Sequence, residues 1–282
     1  MNKRILLPTD FSKNSLNAIR YALSFYKNQE CDFFFLNAYQ VHNYSIDSMM
    51  VPEPGEKTYE AAKKSSEDGM LRLMDILKLH NDNPKHTFHT ISTFNSLLHA
   101  ISTIIAKKDI DLVVMGTKGA TGAKAVLFGT NTVDVMENIT ECPVLAIPDE
   151  YLFSPPKEIV FPTDYRSGFK RREMNFLLDI SNLYDTPIRI LHIEEANKLN
   201  IVQKRNKELL EEMLEGKECS NHVLRDIKVR TGINTFIQSR ESDMIAFLNK
   251  KHTFFASMLS KPLVKDMGYG SNIPILVLND RS

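Results

Sequence analysis

Residues 111–131 read Asp-Leu-Val-Val-Met-Gly-Thr-Lys-Gly-Ala-Thr-Gly-Ala-Lys-Ala-Val-Leu-Phe-Gly-Thr-Asn. Leu112 to Met115 is an unbroken apolar run, which suits a strand buried on both faces. It stops at Gly116, and Gly119, Gly122 and Gly129 follow. Beyond Thr130, the apolar positions Val133, Met136 and Ile139 share one face of a helix. The order is therefore strand, glycine-rich loop, helix start. Glycines let a backbone take positive φ and approach a ligand closely. The N–H groups of a helix start, at the positive end of its dipole, favour an anion such as phosphate. The same residues also fit an ordinary glycine-rich connection, and physics alone leaves both readings open. The stretch lacks the Gly-Lys-Ser/Thr ending of a P-loop and does not follow the first strand of a dinucleotide fold.

Outward from this stretch, strands and helices alternate. Arg4-Ile-Leu-Leu-Pro is a short strand closed by proline, and Ser12 is placed to cap a helix carrying Leu16, Ile19, Leu23 and Tyr26. Phe33-Phe-Phe-Leu-Asn-Ala is a second buried strand. Residues 40–56 break the periodicity and read as an irregular loop, followed by a helix from about Tyr59 to Leu79. His86 to Ser92 gives a third strand, Leu97 to Lys108 a helix, and Pro143-Val-Leu-Ala-Ile a fifth strand after the opening motif. Such alternation predicts an α/β fold with a parallel sheet covered by helices on both faces.

The pattern then repeats. Lys3-Arg-Ile-Leu-Leu-Pro-Thr-Asp-Phe is echoed by Lys157-Glu-Ile-Val-Phe-Pro-Thr-Asp-Tyr, and Phe33-Phe-Phe-Leu-Asn-Ala by Ile188-Arg-Ile-Leu-His-Ile. Cys142-Pro-Val-Leu-Ala-Ile returns as Ile273-Pro-Ile-Leu-Val-Leu. Three matched strands in one order predict two copies of one unit, residues 1–150 and 151–282, joined at the Pro155-Pro156 pair.

With 282 residues, 43% hydrophobic and 25% charged, the chain has the composition of a soluble protein with room for two cores. Lys+Arg and Asp+Glu balance at 35 each, so no bulk charge draws it to nucleic acid or to an anionic membrane. No apolar run approaches the ~20 residues that span a bilayer. The N-terminus enters a strand directly, without a signal-peptide core. Cys31, Cys142 and Cys219 have no metal-ligand spacing and read as thiols of a reducing cytoplasm.

The spacing Gly116, two residues, Gly119, nine residues, Gly129-Thr130 resembles the glycine motif of the ATP-binding branch of the universal stress protein family. The tandem arrangement is similar to that family's two-domain form. The resemblance implies an adenine-nucleotide-hydrolase-like fold of two open five-stranded parallel sheets, each ordered 3-2-1-4-5. Strands one and four then flank the topological switch point, where open α/β sheets bind ligands. Asp10 lies just past strand one and Gly116 just past strand four.

Carried over residue by residue, the resemblance implies an ATP or other adenine nucleotide held with magnesium or manganese. Pro8 and Thr9 would shape the adenine pocket, although a strand-ending proline is also simply a turn former. Asp10 would lie near the ribose and the metal-bound phosphates, with helix capping as its plain alternative. The backbone of Ala38 would read the adenine edge. Met115 and Gly116 would lie against the nucleotide, Met115 being equally suited to the core. Gly119, Gly129, Thr130 and Asn131 would hold phosphates. Lys118 and Lys124 lie in the same loop and either approach phosphate or remain solvated.

The second copy keeps Pro162-Thr-Asp164 but places Leu248, Lys251 and Ser260 where the first has Gly116, Gly119 and Gly129. It reads as a degenerate copy, kept for packing against the first lobe, for pairing with it, or for another ligand.

Three function classes follow: an ATP-binding cytoplasmic stress-response regulator acting on an unidentified protein partner, a slow nucleotide hydrolase or transferase, and a nucleotide-free scaffold. For the second, no histidine, second acid or Ser-Gly-Gly loop accompanies Asp10 as a base or activated nucleophile. A phosphorelay receiver would want an acidic pair after strand one and an Asp after strand three, and neither is found. Intramolecular pairing of the lobes is expected, and a homodimer stays open. The apolar loop from Gln40 to Gly55 leaves strand two on the rim of the crevice and reads either as a lid or as a packed partner contact.

Overall fold

The apolar runs become buried strands. In the computed structural model, which describes residues 2–40, 54–80, 82–117, 129–194, 198–249 and 273–279, the first half runs β1 (Lys3–Pro8), α1 (Lys13–Phe25), β2 (Cys31–Tyr39), α2 (Lys57–His80), β3 (His86–Phe94), α3 (Leu97–Lys108), β4 (Leu112–Gly116), α4 (Thr130–Asn138) and β5 (Val144–Ile147). The second half runs β6 (Ile159–Pro162), α5 (Arg171–Tyr184), β7 (Ile188–Glu194), α6 (Ile201–Met213), β8 (Cys219–Arg225), α7 (Val229–Arg240), β9 (Met244–Asn249) and β10 (Ile275–Asn279). Ser12 caps α1, its side chain accepting from the Ser15 amide. Asp109, in the left-handed region, ends α3. The loop from Gln40 to Gly55 falls almost wholly on residues 41–53, outside the described residues, as do Lys118, Gly119 and Lys124.

Each half has the order 3-2-1-4-5 that the family resemblance implies: β3-β2-β1-β4-β5 and β8-β7-β6-β9-β10. Within each half every pairing is parallel. The halves do not form two separate sheets. β5 and β10 pair antiparallel, Leu145 opposite Leu276, and the ten strands become one sheet. Both strands are buried along their whole length. Left as open edges they would present rows of unpaired backbone N–H and C=O groups to other chains, and the pairing closes both edges.

Alternate strand residues go to opposite faces. Ile5, Leu7, Phe33, Phe35 and Val114 join α1, α2, α5 and α6 in one core, whereas Leu6, Leu36, Val113 and Met115 join α3, α4 and α7 in the other. Across the halves, the linker residue Phe153 sits 5.3 Å from Tyr21, 5.9 Å from Phe25 and 6.0 Å from Tyr184 by ring centroids. Asn17 donates to the linker carbonyls of Pro148 and Tyr151, so the connection between the repeats is itself part of the core. Among the described residues no helix is long and apolar enough to cross a membrane.

One charge is built into the second half. Glu158, 7% exposed, accepts from Arg189 Nε at 3.0 Å, from Arg240 Nη2 at 2.7 Å and from the Ser242 hydroxyl. Burial pushes its carboxyl up, but the hydrogen bonds of Arg240, Ser242 and Arg189 outweigh burial and hold it at about 2, against an ordinary 4.5. A depressed folded pKa gives stability that is present above the unfolded value and is lost as pH falls through the folded one. Melting temperature should therefore drop between pH 4.5 and 2, and Glu158→Gln should remove part of that drop. At neutral pH the same variant leaves the half-buried Arg189 and the exposed Arg240 facing a neutral amide and should cost about 1–2 kcal/mol in a denaturant titration.

Candidate functional site

β1 ends at Pro8, and the Thr9 amide extends its pairing by donating to the Leu36 carbonyl at 2.8 Å. The chain then turns sharply. The buried Thr9 hydroxyl accepts from the Phe11 amide at 3.0 Å and bonds the Ser15 hydroxyl at 3.0 Å. Asp10 stands exposed at the tip, and its Oδ1 accepts from the Ser12 amide at 3.1 Å. Phe11 takes φ +63°, a region that bulky residues rarely enter. Thr9 is thus a turn-building residue whose side chain is engaged within the protein. Asp10 orders its own turn and also presents a carboxylate at the rim.

β4 lies beside β1, with Ile5 opposite Leu112 and Leu6 opposite Val113. The Met115 side chain is 6% exposed and belongs to the core under α3 and α4. Gly116 is required by a neighbour: a Cβ there would lie 3.0 Å from the Asn14 carbonyl oxygen and 3.2 Å from its carbon. Its φ is not positive, nor is that of Gly129, which has φ −66° and ψ 153°. The positive φ expected of this motif is therefore absent from both described positions, and close backbone approach is what Gly116 supplies.

The Gly129 amide donates to the Thr117 carbonyl at 2.7 Å, which holds the start of α4 beside the end of β4. The Thr132 hydroxyl donates to the Gly116 carbonyl at 2.9 Å, fixing the first turn of α4 onto the end of β4. Gly129 is the N-cap of α4 and contributes no side-chain cap. The first amides of a helix have no partner within it, and here Thr130 and Asn131 are exposed. The starts of α1 and α4 thus lie at one end of the sheet, past the ends of neighbouring strands.

Ala38 lies on β2, half-buried and paired with Thr93. Beside it is a residue the sequence reading passed over. Asn37 is 9% exposed; its Nδ2 donates to the Thr9 carbonyl at 2.7 Å, and its Oδ1 accepts from Ser66 at 2.6 Å. Ser66 also bonds Ser92 at 2.7 Å, completing a buried polar bridge from α2 and β3 to the Asp10 turn. The available signal was an amide at the end of an apolar run.

Pro8, Thr9, Asp10, Gly116, Gly129, Thr130 and Asn131 are therefore brought to one end of the β1–β4 junction, with Ala38 on the neighbouring strand. Among the described residues no group of three or more His, Cys, Asp or Glu side chains forms a metal cage. A cation here would have to take oxygens from a ligand as well as from Asp10. Two clefts, of about 590 and 660 Å³, are lined by other residues, among them Lys3, Tyr26 and Asp179 in one and Arg20, Lys27 and Lys85 in the other.

The second half repeats the two backbone-to-side-chain bonds of the Asp10 turn. The Tyr165 amide donates to Thr163 Oγ1 at 3.0 Å, the Arg166 amide to Asp164 Oδ1 at 2.9 Å, and Tyr165 has φ +55°. His192 takes the place of Asn37, its Nδ1 bonding the Thr163 carbonyl at 2.9 Å. β6 pairs with β9 as β1 pairs with β4, Ile159 opposite Met244, which puts Leu248 where β4 has Gly116. Residues 250–272, which include Lys251 and Ser260, lie outside the described residues.

A profile of the universal stress protein family matches residues 1–148. A universal stress protein of Methanocaldococcus jannaschii is 26% identical over 154 residues, covering 51% of this chain and 81% of that protein. The crystal structure of a universal stress protein from Archaeoglobus fulgidus is similar with a TM-score of 0.67 and 16% identity, over 98% of this chain and 96% of that one. That of a putative universal stress protein from Pseudomonas aeruginosa has a TM-score of 0.57 at 12% identity, over 99% and 94%. At such identities the two structures speak to fold alone, and they do so across both halves. The profile match takes in every strand and helix from β1 to β5, and on that ground the chain belongs to the universal stress protein family.

Proposed function

We propose that this chain is a cytoplasmic nucleotide-binding regulator of the stress-response type. On this reading residues 1–150 hold one ATP with magnesium or manganese, and residues 151–282 are a copy that has lost the cradle. The observation that carries it is the start of α4. Its N-cap is a glycine with no side chain to occupy the first-turn amides, and it opens beside the Asp10 turn at the switch point between β1 and β4. A phosphate chain would take the amides of Thr130 and Asn131 and the Thr130 hydroxyl, with Lys118 and Gly119 approaching from the loop. Asp10 would face the ribose and a metal held between carboxylate and phosphate. The Ala38 backbone, half-buried on β2, would meet the adenine edge. In the second half Leu248 stands where β4 has Gly116, which supports one nucleotide per chain.

Calorimetric titration with ATP and magnesium should give one site per chain. Two equivalent sites, or no heat with any adenine nucleotide, would overturn this reading.

Gly129→Val tests the cradle separately. The backbone at Gly129 lies in the extended region, which valine adopts without strain, so the fold should survive. The branched side chain would crowd the first-turn amides and should weaken ATP binding by about a hundredfold or more. Equal affinity in the variant would place the phosphates elsewhere.

A further inference from the structure

We infer that Phe11 and Gly69 form a positioning pair that holds the Asp10 turn, so that α2 governs the carboxylate at the crevice. The inference rests on the nucleotide reading above and adds a residue pair outside the family motif.

Gly69 is the thirteenth of the 24 residues of α2, and a glycine inside a helix weakens it relative to alanine. Its surroundings explain it. A Cβ at Gly69 would lie 2.4 Å from Cε2, 2.5 Å from Cζ and 2.7 Å from Cδ2 of Phe11. The ring occupies the space that any other residue would fill. Phe11 directly follows Asp10 and has φ +63°, so its backbone direction is tied to where its ring goes. One turn earlier on α2, Ser66 bonds Asn37, which donates to the Thr9 carbonyl. The helix therefore grips the turn on both sides of Asp10, by a ring at Phe11 and by a polar bridge at Thr9.

The second half shows that the same turn can be held differently. There α6 reaches it with side-chain amides: Gln203 donates to the Asp164 carbonyl and Asn206 to the Tyr165 carbonyl, both at 2.8 Å. The Tyr165 ring lies 5.2 Å from His192. A helix following the second strand restrains this turn in both halves, and in the first half the restraint at residue 11 is packing against a missing side chain.

The test is Gly69→Ala, which favours the helix and displaces the ring. Affinity for magnesium-ATP should fall about tenfold, whereas affinity for metal-free adenosine should stay within about twofold. Exchange of the Ser12 amide, which bonds Asp10, should quicken. Phe11→Gly removes the ring and tolerates the left-handed backbone. It should weaken magnesium-ATP binding by itself, and adding Gly69→Ala to it should change nothing further. That single variant keeps the test open if Gly69→Ala does not fold. Unchanged magnesium-ATP affinity in Gly69→Ala, or an equal loss for both ligands, overturns the pair. A wild-type chain that takes no adenine nucleotide sinks the functional reading instead; unchanged Ser12 exchange in Gly69→Ala would then overturn the pair on geometry alone.

Discussion

The pairing of β1 with β4 is the constraint on which the site depends. It joins strands separated by more than a hundred residues, with Ile5 opposite Leu112, Leu6 opposite Val113 and the Asp111 amide donating to the Arg4 carbonyl. From β1 the chain turns toward β2 on one side, whereas β4 and β5 build the sheet on the other. The connections leaving β1 and β4 consequently part, and a crevice opens between them. Everything placed there follows from that parting: the Asp10 turn above β1, the end of β4, and the starts of α1 and α4. The closeness of this arrangement also dictates Gly116, since α1 brings the Asn14 backbone to where a side chain would stand.

Much of this was legible in the sequence because it is local. The apolar runs 5–8, 33–36, 112–115 and 144–147 could serve only as buried strands, and Ser12 announced the start of α1 through its hydroxyl. The bounds of α3, Leu97–Lys108, emerged from periodicity alone. The candidate residues among the described ones fell at one end of the sheet because strand ends and helix starts must alternate in this fold. What could not be read depends on distant neighbours. The antiparallel union of β5 with β10 joins two segments whose residues look the same whether they pair or stand apart. The role of Asn37 requires knowing that Thr9 turns back over β2. The left-handed conformations of Phe11 and Tyr165 contradict local preference and are imposed by the hydroxyl-to-amide bonds of Thr9 and Thr163. The glycine motif was legible as a pattern, although its reason at Gly116 proved to be packing of α1.

The two halves share a turn and differ in what surrounds it. Asn37 and His192 both bond the carbonyl of the threonine before the aspartate, but Asn37 passes the connection on to Ser66 and Ser92, whereas His192 lies against Tyr165. At the opposite end of the strands, the first half places the exposed pair Arg4–Asp109, and the second places the buried Glu158 with Arg189 and Arg240. The backbone pattern persisted while the polar groups around it were exchanged.

The antiparallel contact of β5 with β10 also fixes the direction in which the molecule faces. Strands run parallel within each half, so reversing one half against the other points their carboxyl ends opposite ways. The Asp10 turn and the Asp164 turn thus look out from opposite poles of a single slab. The two ends of the repeat face apart and carry different side chains around the same turn. What joins the two poles is the shared sheet together with the aromatic seam of Tyr21, Phe25, Phe153 and Tyr184.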